Sequence, residues 1–308
     1  MYNLQAKNSR NKLIILFIMA FTLFSILISK PALAATTVTA DFSVNNGTGH
    51  PDIFGGTENV LNDTAKIDAL QQSGMSHVRR GAHLWLIAPD TTVSTYLAGI
   101  GVPGSVADPN TWDWSDIAWI DDYYNRGIKI MLIMAEMPPW LGYQYAPPHT
   151  SSKSPPTNWV VYEDIVKKIY QRYQGKIASV EIWNEPNCGM SLAGSPYPYS
   201  GGCIEDEYIA PYLDLYYHAA KAIRSVDASI PIGGPAVSRP DNYHWASHMF
   251  ANANIASVPN SINFLSYHDY QLYSNESVFH WQGVAAGYGR NDFPVYVTEW
   301  NYSASYAL

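Results

Sequence analysis

Two glutamates carry a pattern that could do chemistry. Glu185 ends the apolar run of VEIWNEPN (180–187) and Glu299 ends that of VYVTEWN (295–301), each with a tryptophan within two residues. A single glutamate is usually a surface carboxylate. Two in matching places, after two strand-like runs, are poorly explained that way. Carboxyl groups that face each other across a pocket suit cleavage of a glycosidic bond. One arrives protonated and gives its proton to the leaving oxygen; the other, ionised, attacks or stabilises the anomeric carbon. Repulsion from an ionised Glu299 favours the protonated form of Glu185. Asn184, Arg79 and Tyr270 could hold Glu299 ionised through hydrogen bonds and opposite charge.

The elements that must bring these residues together are legible as alternating runs. Short apolar stretches at 53–55, 77–79, 129–135, 180–183, 230–233, 263–267 and 295–298 read as strands covered on both faces. Helical signals lie between them. Asn62 or Asp63 can cap a helix that reaches Gln72 and stops at Gly74. Asn158 precedes Val161, Ile165 and Ile169, with Gly175 as the stop, and Ile209, Leu213, Tyr216, Ala220 and Ile223 form an amphipathic stripe. A further helix is expected over 116–125, ended by Gly127, and weaker ones around Trp245 and Val278. Strand and helix in strict alternation mean parallel strands with crossover helices. An open doubly wound sheet usually carries a glycine-rich phosphate turn after its first strand, and IFGGTEN offers only a glycine pair. Unusual polar residues instead end many strands, which favours a (β/α)8 TIM barrel with its site at the C-terminal strand ends.

These motifs resemble the retaining glycoside hydrolases of clan A, most closely family 39, which contains β-xylosidases, α-L-iduronidases and polysaccharide-active relatives. EIWNEPN (181–187) resembles the family's acid/base strand and TEWNYSASY (298–306) its nucleophile strand. HVRRG (77–81), IGGPAV (232–237) and NFLSYHDY (263–270) resemble its second, fifth and sixth strands, so the likeness covers most of 50–306 in the same order. The resemblance implies Glu185 as acid/base and Glu299 as nucleophile, with Asn184 on the sugar 2-hydroxyl and Arg79 beneath the nucleophile. His268 and Tyr270 would line the subsite of the bond being broken. It further implies carboxyls about 5 to 5.5 Å apart, the double-displacement geometry, no metal or organic cofactor, and β-linked xylosides or a related oligo- or polysaccharide as substrate. Two alternatives stay open: a non-catalytic carbohydrate-binding barrel, and a clan A hydrolase of another family, such as an endoglucanase or mannanase.

Other candidates have structural explanations beside the functional one. Glu136, after the third strand run, could bind a sugar hydroxyl or pair with a buried base; Glu58 and His83 are similar, and Arg80 is expected to face the helix layer or to make an ion pair. Trp140, Trp300 and Trp85 sit in strand-end motifs and are the aromatic residues expected to stack on sugar. The segment SLAGSPYPYSGG (191–202) follows the acid/base strand and is expected to wall the cleft, stiffened by a Cys188–Cys203 disulfide if the thiols are oxidised.

Composition limits the partners. Residues 1–34 combine a basic start, an apolar run and an A-x-A end, the pattern of an export signal, with an uncleaved anchor as the alternative. Without them, 35–308 keeps 14 basic against 26 acidic residues, a net charge of −12. That excess disfavours nucleic acid and anionic membranes, and the export-signal pattern implies a secreted or periplasmic protein. The chain ends at Leu308, after the seventh strand run, so the barrel is expected to lack its eighth strand as a fragment of a longer protein.

Overall fold

Seven strands and ten helices are defined in a computed structural model, which describes residues 55–57, 64–72, 74–143, 151–189, 206, 208–270 and 274–300. In chain order they are β1 (Gly55–Thr57), α1 (Thr64–Gln72), β2 (His77–His83), α2 (Leu84–Ile87), α3 (Val93–Gly99), α4 (Trp119–Asn125), β3 (Lys129–Ala135), α5 (Trp159–Arg172) and β4 (Ser179–Ile182). There follow α6 (Pro186–Gly189), α7 (Ile209–Arg224), β5 (Ile232–Val237), α8 (His244–Ala251), α9 (Ala253–Ser257), β6 (Phe264–Asp269), α10 (Ser274–Gly287) and β7 (Val295–Trp300). All lie in one compact unit, His50–Leu308. The export-signal segment, Glu58, the 191–202 stretch and Cys203 lie outside the described residues.

Every pairing is parallel and the strands follow chain order, β1 to β7, in one sheet. This is a partial (β/α) barrel: consecutive parallel strands joined by helices that return on the outside. The expected alternation is present, but several boundaries differ. β2 runs on to His83, β5 to Val237, β6 to Asp269 and β7 to Trp300, while β4 stops at Ile182. In β2, β6 and β7 the extensions carry polar residues past the apolar runs that first mark the strands, whereas that of β5 is Gly234, Pro235, Ala236 and Val237. Ladder hydrogen bonds to a neighbouring strand, not hydrophobicity, keep those residues extended. The helix expected over 116–125 is a short 3-10 turn, Ser115–Ile117, followed by α4. Asn158 caps α5 as expected, its Oδ1 accepting from Val161 N at 3.1 Å.

Alternation along β2 separates two arginines. Arg79 faces the barrel axis, while Arg80 lies in the helix layer with its guanidinium 4.7 Å from the centre of the Trp119 ring. Between sheet and helices the core is rich in tyrosine. Tyr212 and Tyr216 of α7 are fully buried, and their hydroxyls donate to Ile182 O at 3.2 Å and Ser261 O at 2.8 Å. Such bonds let a phenol fill the core without leaving a polar atom stranded.

Two breaks in register shape the strand ends. Between β5 and β6, Pro235 pairs with Ser266 and Val237 with Tyr267, so Ala236 is the extra residue. Between β6 and β7, Tyr267 pairs with Val297 but His268 pairs with Glu299, so Thr298 is the extra residue. Side chains alternate along a strand, so one inserted residue turns every later side chain to the other face. The second bulge therefore puts Glu299 on the same face as His268.

The sheet is packed hard behind these ends. A Cβ added at Gly233 would lie 2.3 Å from the ring of Phe264, itself 1% exposed. Overpacking of this kind costs about 1–3 kcal/mol, so Gly233→Ala should lower the melting temperature by several degrees. A melting curve that superimposes on the parent's would show that β5 and β6 are less tightly apposed.

Candidate active site

Arg79 is the centre of the strand-end cluster. Its side chain is 6% exposed and all its terminal nitrogens are engaged. Nε donates to Glu181 Oε2 at 2.6 Å, Nη1 to Glu299 Oε1 at 2.6 Å and Nη2 to Asn184 Oδ1 at 2.7 Å. Nη2 also lies 3.3 Å from His268 Nε2. Glu181 is fully buried and was not singled out in the sequence, although its signal is there: an acid in the middle of an apolar strand run, with an arginine two strands away. A buried carboxylate requires a charged partner, and Arg79 is that partner.

His268 links the two glutamates. It is fully buried, with Nδ1 at 2.8 Å from Glu185 Oε1 and 3.6 Å from Glu299 Oε2. The Arg79 guanidinium can only donate, so the bond to Nε2 leaves that nitrogen with its lone pair and assigns the ring proton to Nδ1. Nδ1–H then donates to Glu185 Oε1, and any proton that Glu185 carries belongs on Oε2. Tyr270 Oη donates to Glu299 Oε2. One oxygen of Glu185, one of Glu299 and a ring nitrogen of His268 lie within 4.8 Å of one another. The two acids, 114 positions apart in the chain, thus share one space.

That spacing could also admit a cation. The donor set argues against one, because Arg79 already presents its positive charge to Glu299 at 2.6 Å, and a metal ion there would face it directly.

Electrostatics separate the roles within the cluster. Burial alone would raise the pKa of Glu299. The adjacent His268 ring, the Tyr270 hydroxyl and Arg79 outweigh it and hold the carboxyl below its ordinary value of 4.5. Burial and the adjacent Glu299 push the Tyr270 phenol well up, so it remains a donor. Asn184, expected to help hold Glu299, instead accepts from Arg79 and acts on Glu299 only through it.

Backbone conformation marks the same strand ends. Glu136, Trp183, Glu185 and Ala236 have φ of 57°, 69°, 45° and 53°, the left-handed region that side chains disfavour. Such residues cost on the order of 1–3 kcal/mol each and persist only where their surroundings hold them. Glu185 N donates to the carbonyl of Ala236, the bulged residue of β5, and Trp183 N donates to Met134 O, each at 3.0 Å. Behind Glu185, fully buried Asn187 joins Ser238 twice, Nδ2 to Oγ and backbone N to Oδ1, both at 3.0 Å. Cys188 is disulfide-bonded; Cys203, its expected partner, lies outside the described residues.

The aromatic candidates separate. Trp300 is 70% exposed at the end of β7. Trp85 is half-exposed and its Nε1 donates to Glu136 Oε2 at 2.7 Å. Trp140, expected to stack on sugar, stacks instead on the buried ring of Tyr96, with centroids 5.6 Å apart, and packs against the core.

No family model matches the chain. Among curated proteins it is similar to a beta-xylosidase of Caldicellulosiruptor saccharolyticus, 27% identical over 210 residues, 60% of this chain and 40% of that protein. Among solved structures, a glucosidase from Croceicoccus marinus matches with a TM-score of 0.55 and 17% identity, over 81% of this chain and 52% of that one. A family 39 beta-xylosidase from Caulobacter crescentus matches with a TM-score of 0.54 and 19% identity, over 81% and 53%. The chain thus spans about half the length of the proteins it matches or less. The resemblance to family 39 of clan A is borne out, and the shared fold is that of its barrel.

Two outcomes follow from the charge arrangement. Arg79→Met strands Glu181 without a partner and should destabilise the protein by about 3–5 kcal/mol. Adding Glu181→Gln should recover part of that loss, and chemical denaturation would show whether it does. Because the folded pKa of Glu299 is depressed, its ionised form stabilises the fold above pH 4.5, and this contribution is lost as pH falls through the lower folded value. Glu299→Gln should therefore flatten the dependence of stability on pH below that point; equal slopes in parent and variant would contradict the assignment.

Proposed function

We propose that the chain is the catalytic barrel segment of a retaining glycosidase that acts by double displacement on β-linked xylosides or a related polysaccharide. One observation carries this reading: two carboxyl groups share a space within 4.8 Å, and only one of them, Glu299, is gripped by an arginine and a phenol. An inverting pair needs room for a water molecule and stands about 6.5–9.5 Å apart, whereas a retaining pair stands about 5–5.5 Å apart. The likeness to a beta-xylosidase supports the choice of sugar.

In the first step a Glu299 oxygen attacks the anomeric carbon while Glu185 protonates the glycosidic oxygen through Oε2. The leaving alcohol departs with that proton and a glycosyl ester remains on Glu299. In the second step Glu185, now ionised, takes a proton from water, which displaces Glu299 and restores both carboxyls. Arg79 and Tyr270 orient the nucleophile, and His268 fixes which oxygen of Glu185 faces the substrate. Asn184 Oδ1 is occupied by Arg79, so its Nδ2 amide is the group that would meet the sugar 2-hydroxyl. Trp300 is exposed beside the nucleophile and offers a stacking face.

On this reading the seven parallel strands belong to a (β/α)8 barrel with one further strand between β7 and β1. Residues 1–34 direct the protein out of the cytoplasm, and no metal or organic cofactor takes part.

Aryl β-xylosides and β-glucosides test the proposal. Glu185→Gln should lower turnover by about 10²–10⁴-fold, the usual worth of general acid catalysis, and Glu299→Gln should reduce it to background. Proton NMR of the earliest product should show the β-anomer. An α-anomer formed first would exclude double displacement, and saccharide binding without turnover in the parent would make the protein a carbohydrate-binding barrel.

A further inference from the structure

Outside the Arg79 network, the ends of β2 and β3 hold a second group of polar and aromatic residues. In register His83 lies opposite Ala135, so Glu136 emerges beside it, and Met134 lies opposite Ile182, so Glu136 is also the strand-end neighbour of Asn184. Glu136 has a left-handed φ of 57°. That conformation aims its carboxyl at Trp85 of α2, whose indole N–H it accepts at 2.7 Å. The bond fixes the ring while 43% of Trp85 stays open to solvent, beside an equally open Leu86. The His83 side chain is also open, with Nδ1 3.4 Å from Asp116 Oδ2. Asp116 and, more weakly, Glu136 raise the pKa of His83 against the effect of burial.

An exposed tryptophan usually keeps rotamer freedom that a ligand must remove. Here a charged hydrogen bond has already removed it. Trp85 follows β2, two strands from Asn184 and Glu185, and Glu136 at the end of β3 lies between them, keeping a second oxygen to accept from a hydroxyl. A sugar carrying a carboxylate would meet Glu136, with Asp116 behind it. We infer that Trp85, Glu136 and His83 form a separate saccharide subsite, which stacks a neutral sugar residue and makes an oligosaccharide, not a single glycosyl unit, the preferred ligand. This rests on the reading of the pocket as a saccharide site but not on its turning substrate over.

The test is therefore a binding measurement. In the Glu185→Gln protein, titration calorimetry with xylose and with β-1,4-linked xylobiose, xylotriose and xylotetraose should show affinity rising with length. Trp85→Ala in the same protein should remove about tenfold of that gain, the worth of one well-placed aromatic contact. Glu136→Gln keeps an acceptor for the indole and removes the charge. It should narrow the preference for xylotriose over a xylotriose bearing a glucuronosyl group. Affinity that does not rise with length, or a rise that survives Trp85→Ala with an unchanged melting temperature, overturns the subsite. So does a preference for the neutral chain untouched by Glu136→Gln. Length-dependent binding lost with Trp85 in a protein that cleaves no aryl glycoside would keep the subsite and reject the hydrolase.

Discussion

The strand-end site depends on a buried guanidinium. Arg79 has more donors than any other side chain could offer at that point, and they lie in one rigid plane. Glu181 and Asn184 meet that plane from β4 and its end, His268 from β6 and Glu299 from β7. A lysine could supply the charge but not the fork. The consequence is a chain of assignments. Arg79 fixes the lone pair on His268, His268 fixes the accepting oxygen of Glu185, and the positive charge keeps Glu299 ionised. Glu181 is the cost of placing that cation inside the barrel: a carboxylate buried completely, with Oε1 lacking a hydrogen bond. Such a pair contributes little net stability, yet either partner alone would be strongly destabilising.

Around this core the fold uses irregular backbone to aim side chains. The bulge at Thr298 turns Glu299 toward His268. The bulge at Ala236 leaves that residue's carbonyl free to accept the amide of Glu185, itself held at a positive φ. Without these departures the two carboxyls would follow the pleat of their strands and need not converge. The strain is carried by well-packed neighbours: Phe264 against Gly233, Tyr212 against Gly234, and the double hydrogen bond between Asn187 and Ser238. Rigid strands thus hold a locally unfavourable backbone in place, which is how a site can be set before any ligand arrives.

Trp140 illustrates the limit of reasoning from motif position. It follows β3 in a strand-end motif, as Trp300 closes β7, yet it faces Tyr96 and the core while Trp300 is largely exposed. Aromatic rings serve packing and recognition equally well, and only the neighbours decide between them. Asn184 is a parallel case. Its place beside Glu185 is plain in the sequence, but the bond it makes is to Arg79, whose Nη2 donates to its Oδ1, and not to Glu299.

The sequence by itself determined the alternation of strand and helix, the parallel order, the layer that Arg80 occupies and the two glutamates to watch. These follow from hydrophobic periodicity, cap residues and the rarity of acids after apolar runs, all of which are local or composition-level signals. Tertiary structure alone decided that β2, β6 and β7 carry polar residues past their apolar runs, that two bulges re-aim the strand ends, that Glu181 is the buried counter-ion and that Glu136 holds the ring of Trp85. Each of those depends on what lies across a strand gap or on a neighbouring helix, and residues far apart in a chain make no mark on each other's local pattern until the fold places them in contact.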